Sequence, residues 1–153
     1  MIARVQTRSN HPKTMKTTAK ILGLTLLLQG VLSTASANPQ RRLLFTEYGK
    51  GPNRFVELDA AGKMVWEKAP PSITVIFQVL PNGNILFGYG GKPTGVREIT
   101  SRGETVFDYV SPSHQVFGCE RLANGNTLVA EQEPCQAVEV DPKSAIVHVT
   151  PLT

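Results

Sequence analysis

The feature that most constrains this chain is a repeat. Leu80-Pro81-Asn82-Gly83-Asn84-Ile85-Leu86 returns 42 residues later as Leu122-Ala123-Asn124-Gly125-Asn126-Thr127-Leu128. The same step upstream of Leu86 lands on Leu44, inside Leu43-Leu44-Phe45. A second anchor follows each of these: Val56-Glu57-Leu58-Asp59, then Val96-Arg97-Glu98-Ile99-Thr100, then Val138-Glu139-Val140-Asp141. A third closes each unit, in Gly62-Lys63-Met64-Val65-Trp66, Gly103-Glu104-Thr105-Val106-Phe107 and Ser144-Ala145-Ile146-Val147-His148. Three anchors in one order are not a chance match. A period of about 40 to 50 residues with strand-like content points to propeller repeats.

The local chemistry predicts strands joined by tight turns. Asn82-Gly83 and Asn124-Gly125 are Asn-Gly pairs between apolar residues, the hairpin signal of a type I′ turn, in which both central residues take positive φ. Ala61-Gly62 and Arg102-Gly103 read as a second turn in each unit. Phe55, Glu57 and Asp59 alternate with Val56 and Leu58, as in a half-buried strand, and no helical period follows Ala37. The fold class is therefore all-β, in four-stranded antiparallel blades of the β-propeller type. Strands are expected over 74–80, 84–89, 96–100 and 105–110 in the second unit, and over 115–122, 127–132, 137–141 and 145–150 in the third. The first unit starts at Arg42 without an innermost strand of its own, which leaves about 2.75 blades in units 42–72, 73–113 and 114–153. A closed propeller has about four to eight blades. Three readings stay open: a fragment of a longer propeller, a homo-oligomer that completes a ring, or a sandwich that is not a propeller.

Residues 1–37 read as a secretory signal peptide, with Met15 as the expected start. Lys16 and Lys20 precede the apolar run from Ile21 to Leu28, Gly30 breaks it, and Ala35-Ser36-Ala37 offers a cleavage site before Asn38. The run is too short to span a bilayer, which takes about 20 apolar residues. The expected localisation is secreted or periplasmic. All of Arg4, Arg8, Lys13, Lys16 and Lys20 lie before Asn38 and no acidic residue does, so the remainder carries 11 basic and 12 acidic residues. With that balance no nucleic-acid partner is expected, because binding there rests on clustered Lys and Arg. Cys119 and Cys135 are the only cysteines, and export favours a disulfide between them, worth about 3 kcal/mol on the chain-entropy model. No CxxC motif or His/Cys cluster suggests a metal.

At these residues the chain resembles a known group. Arg121-Leu122-x-Asn124-Gly125-Asn126-Thr127-Leu128 with Glu139-Val140-Asp141, and Glu57-Leu58-Asp59-x-x-Gly62-Lys63-x-Val65-Trp66-Glu67, are similar to blades of the arylsulfotransferase-type and quinoprotein-like (PQQ-binding-like) β-propellers. The likeness runs from Leu43 to about Val149. It implies the propeller fold and, for an enzyme, either a quinone cofactor (PQQ) held by several blades or a histidine nucleophile in a central channel. The residues themselves predict no cofactor.

In a four-stranded blade, the loop leading into the innermost strand and the loop between the second and third strands share one face. That rule gathers Ser111-Pro112-Ser113-His114 with Glu47-Tyr48-Gly49-Lys50, Tyr89-Gly90-Gly91-Lys92 and Glu131-Gln132-Glu133-Pro134-Cys135. Loops on a rigid scaffold are where binding groups concentrate. His114 is the candidate catalytic residue, since a neutral imidazole serves as nucleophile or base. Tyr48, Tyr89, Lys92 and Arg121 are the candidate binding residues, the two cations suited to an anionic ester. Trp66, Phe107 and His148 occupy one repeat position and read as packing between blades. Glu131 and Glu133 read as a solvated loop, and Gly88-Tyr89-Gly90-Gly91-Lys92 lacks the GxxxxGK[ST] spacing of a phosphate loop. The leading expectation is an exported scaffold that binds a ligand or protein. The alternative is a piece of an arylsulfotransferase-like or quinoprotein-like enzyme.

Overall fold

A computed structural model of the chain describes residues 6, 7 and 41–152. The described residues form twelve strands and no helix: β1 (Gln6–Thr7), β2 (Leu43–Glu47), β3 (Arg54–Leu58), β4 (Met64–Lys68), β5 (Ile73–Val79), β6 (Ile85–Gly90), β7 (Gly95–Ile99), β8 (Thr105–Val110), β9 (Val116–Arg121), β10 (Thr127–Glu131), β11 (Gln136–Val140) and β12 (Ile146–Pro151). They pair into three four-stranded sheets in the orders β1-β2-β3-β4, β5-β6-β7-β8 and β9-β10-β11-β12, every pair antiparallel. The protein is all-β, and no closed barrel forms among the described residues. The strand next to β2, which the sequence left unassigned, is the pair Gln6–Thr7, upstream of the expected start at Met15. The predicted leader otherwise lies outside the described residues.

The sheets stack through alternating faces, because successive side chains of a strand point to opposite sides. Leu44 and Phe55 of the first sheet pack on Phe77, Ile85, Phe87, Tyr89 and Ile99 of the second. Phe55 meets Phe77 and Phe87 edge-on, with ring centroids 5.8 and 4.9 Å apart. From the other side of the second sheet, Leu86, Val96, Phe107 and Tyr109 pack on Val116, Val129, Val138 and Val140 of the third. Thus β6, inside the sheet that is covered on both faces, is buried along its whole length. Gly88 belongs to that crowding: a Cβ there would sit 2.8 Å from Ile76 Cδ1 and 3.2 Å from Val116 Cγ1.

The repeat has a structural counterpart in register. Leu44 pairs across its sheet with Glu57, Leu86 with Glu98, and Leu128 with Glu139. Opposite those glutamates stand Trp66, Phe107 and His148, each followed by a bulge one step along. Phe107 is buried and Trp66 half-buried, as expected of packing residues, but His148 is exposed. The reason is its place on the outermost strand of the third sheet, on the side that no further sheet covers.

The Asn-Gly turns differ from the expected type. Only glycine takes positive φ there, 84° at Gly83 and 89° at Gly125, while Gly83 N–H donates to the Leu80 carbonyl and Leu80 N–H to that of Asn84. This is a type I turn closed by a left-handed glycine, not type I′. Pro81 locks a negative φ at the first central position, and Asn82 stays negative while its Oδ1 accepts the Asn84 N–H.

Candidate functional site

Because neighbouring strands run antiparallel, the five tight turns lie at one end of the stack and the longer connections at the other. At the loop end, three connections are tied together. The His114 carbonyl accepts from Gly91 N–H at 3.4 Å and Thr94 Oγ1 at 3.0 Å, and the Gln115 carbonyl accepts from Gln132 N–H at 3.0 Å. Ser113 Oγ donates to the Gln115 carbonyl and accepts the Glu133 N–H at 3.1 Å. This lacing leaves the His114 ring outside, 74% exposed, with Nδ1 2.9 Å from Glu133 Oε2. Lys92 is exposed on the neighbouring loop and Tyr48 on the connection after β2. The surface so formed offers an imidazole oriented by a carboxylate, with a lysine on the adjoining loop.

Beneath it lies a buried polar group that the sequence did not reveal. Glu131 is 2% exposed, so it is not part of a solvated loop. Its Oε1 accepts from Tyr109 Oη at 2.9 Å and Ser111 Oγ at 2.5 Å, and Oε2 accepts from Gln136 Nε2 at 2.8 Å. Burial first, and then the Glu131 carboxylate, push the Tyr109 hydroxyl well above the ordinary tyrosine range. The signal was available, since Thr127, Val129 and Glu131 alternate along β10 and share the inward face. With three donors already placed, this carboxylate supports the loop end structurally.

Two predicted binding residues do not join this surface. Tyr89 is 1% exposed, because it follows Ile85 and Phe87 on the face of β6 that meets the first sheet. Its hydroxyl donates to Asp108 Oδ1 at 3.0 Å, Arg97 pairs with the same carboxylate at 2.7 Å, and the guanidinium lies 5.5 Å from the tyrosine ring. Burial, then Asp108, push that hydroxyl up to about 12. Arg121 ends β9 at the turn end. It reaches Glu98 Oε2 of the second sheet at 2.6 Å and the Gly125 carbonyl at 2.8 Å, with its guanidinium 4.9 Å from the Phe107 ring. The seven residues from His114 to Arg121 span the sheet, so the two stand at opposite ends. Leu80, Pro81, Asn82, Glu98, Arg121 and Gly125 line an open cleft of about 390 Å³ there, and its two charges are spent on each other.

The expected disulfide is absent, and both cysteines are free. Cys119 sits on β9 opposite Val129, while the Cys135 carbonyl accepts from Leu152 N–H beyond β11. Two strand spacings of ~4.8 Å each separate them, more than the ~7 Å Cα separation a disulfide bridges. Burial pushes the Cys119 thiol up to about 12, whereas Cys135 is exposed. No group of three or more metal-ligating side chains occurs among the described residues.

No family model matches this chain. No curated protein matches it. Among solved structures it is similar to a protein of unknown function from Bacteroides caccae, determined at 1.35 Å, with a TM-score of 0.58 and 22% sequence identity. The match covers 73% of this chain and 42% of the other, so this chain spans less than half of its neighbour's length. That likeness concerns the fold.

Proposed function

We propose that the chain is an exported stack of β-propeller-type blades that serves as a binding scaffold, presenting a small ligand or a protein segment with the loop end around His114, Glu133 and Lys92. The observation that carries this reading is the lacing of three loops by backbone and serine hydrogen bonds, which fixes their positions while leaving the imidazole and the lysine in solvent. Fixed loops lower the ordering cost of binding. The blade reading draws support from the front-to-back stacking of equivalent sheets. It draws more from the neighbour's length, which has room for about six units of this size, inside the range of closed propellers. No cofactor is proposed, and among the described residues no helix is long and apolar enough to cross a membrane.

A panel of small anions and aromatic compounds, titrated while the backbone amides are followed by NMR, tests the scaffold reading. Saturable shifts confined to residues 91–94, 111–115 and 132–135 are expected, with the turn end unmoved. Saturable shifts at the turn end alone would sink it. The enzymatic alternative rests on one observation, the His114–Glu133 distance of 2.9 Å, which suits a carboxylate-oriented nucleophile in an arylsulfotransferase-like protein. Turnover of an aryl sulfate with a phenol acceptor, abolished in His114→Ala, would favour it over the scaffold.

A further inference from the structure

The repeat places two Asn-Gly pairs at the turn end, Asn82-Gly83 and Asn124-Gly125, and the sequence holds no others. Such a pair carries its own reaction. The glycine nitrogen, unshielded by any Cβ, can attack the side-chain carbonyl carbon of the asparagine before it. The two turns match in most respects. Asn82 and Asn124 are both exposed, and in each turn the glycine N–H donates to a leucine carbonyl, at 2.8 Å to Leu80 and 3.0 Å to Leu122. In each, the asparagine Oδ1 accepts an N–H at 3.0 Å, from Asn84 and from Asn126.

They part at the side-chain amide nitrogen, which is the leaving group. Asn124 Nδ2 donates to Glu139 Oε1 at 2.9 Å, and Asn126 Nδ2 donates to the same oxygen at 2.6 Å. These two bonds, that of Asn126 first, hold the Glu139 carboxyl below the usual range, so the acceptor stays an anion. The equivalent carboxylate of the second sheet is already taken: Glu98 accepts Asn84 Nδ2 at 2.6 Å on one oxygen and Arg121 Nη2 at 2.6 Å on the other. No bond joins Glu98 to Asn82 among the described residues. Stacking the third sheet on the second has therefore left one asparagine amide tethered to a carboxylate and its repeat twin not.

We propose that Asn82 is a site of spontaneous deamidation, and that Glu139 protects Asn124 in the same sequence motif. The Gly83 nitrogen gives up its proton to solvent base and bonds to Asn82 Cγ. The Cγ–Nδ2 bond breaks, and the nitrogen leaves as ammonia with a proton from water. Water then opens the cyclic imide at either carbonyl, leaving aspartate or isoaspartate, with nothing oxidised or reduced. Both turns must first release the glycine N–H, so that step does not separate them. Asn82 lines the open cleft with Arg121 and Glu98, so the product sets a second carboxylate beside the pair that clamps the second sheet to the third. The reaction belongs to the turn end and stands whether or not the loop end binds a ligand.

Ageing the purified full chain at mildly alkaline pH, with peptide mapping by mass spectrometry at intervals, tests it. Conversion of an asparagine reads as a gain of one mass unit in its peptide. In the folded chain Asn82 is expected to convert several-fold faster than Asn124. In chain held in denaturant the two rates are expected to converge. Glu139→Ala is expected to raise the Asn124 rate toward that of Asn82 and to leave Asn82 unchanged. Equal rates in the folded chain, or faster loss of Asn124, overturn the proposal. So does a folded chain in which neither asparagine reacts while both react in denaturant. Should Glu139→Ala not fold, the wild-type rates in folded and denatured chain decide alone.

Discussion

Glu131 is the residue whose removal should be felt most at the loop end. Its three donors come from β8, the β8–β9 loop and β11, so one carboxylate holds three segments of two sheets. Glu131→Ala strands buried donors, each worth about 1–3 kcal/mol, and should lower unfolding free energy by about 3 kcal/mol in urea titration. Cys119 and Cys135 should separate in a timed thiol assay: one sulfhydryl reacts at once in the native protein, the other only after denaturant is added. A denatured, unreduced sample with no titratable thiol would restore the disulfide.

The same burial sets a pH dependence. Cys119 and Tyr89 have folded-state values raised to about 12 from 9.0 and 10.0, and Tyr109 is raised too. Below pH 9 these groups are protonated in both states, and their contribution is fully present. Between about 9 and 12 the unfolded chain loses protons that the folded chain keeps, so stability falls as pH rises through that window. Denaturation midpoints measured from pH 7 to 11 should be flat and then decline. A rise above pH 9 would contradict the burial described.

At the scale of the element, the second sheet is the one on which the others are built, and Arg121–Glu98 is its clamp to the third. Both side chains are largely buried, 18% and 10% exposed. Arg121→Ala leaves Glu98 with Asn84 alone and should cost about 3 kcal/mol. Pairing it with Glu98→Leu should recover part of that loss, as a double-mutant cycle would measure. Arg121 was read as a functional cation because nothing in the sequence shows that Glu98 of the neighbouring sheet claims its guanidinium. Strand content was easier to read: expected and observed strands of the second and third units differ by only a residue or two at their ends. Alternation along the chain reports which residues share a face, and it needs no knowledge of the neighbour.

At the scale of the whole molecule, burial grades from the middle outward. β6 is covered on both sides, while β12 is exposed along its length. Amide exchange should accordingly be slowest in Ile85–Gly90 and fastest in Ile146–Pro151 when the chain is a monomer. The twin faces of each sheet were not legible as faces, because periodicity gives two sides without naming which meets which sheet. His148 shows the difference: its repeat position matches Trp66 and Phe107, yet its environment is solvent, since position in the repeat and position in the stack are separate facts.

The sequence by itself determined the repeat, the all-β class, the turns at glycine and the apolar alternation, because each follows from backbone sterics or from a short-range period. Tertiary structure alone decided that Tyr89 is buried, that Glu98 of the neighbouring sheet claims the Arg121 guanidinium, and that Cys119 and Cys135 are too far apart to bridge. Those outcomes depend on which sheet lies against which face, a relation between residues distant in the chain that no local pattern encodes.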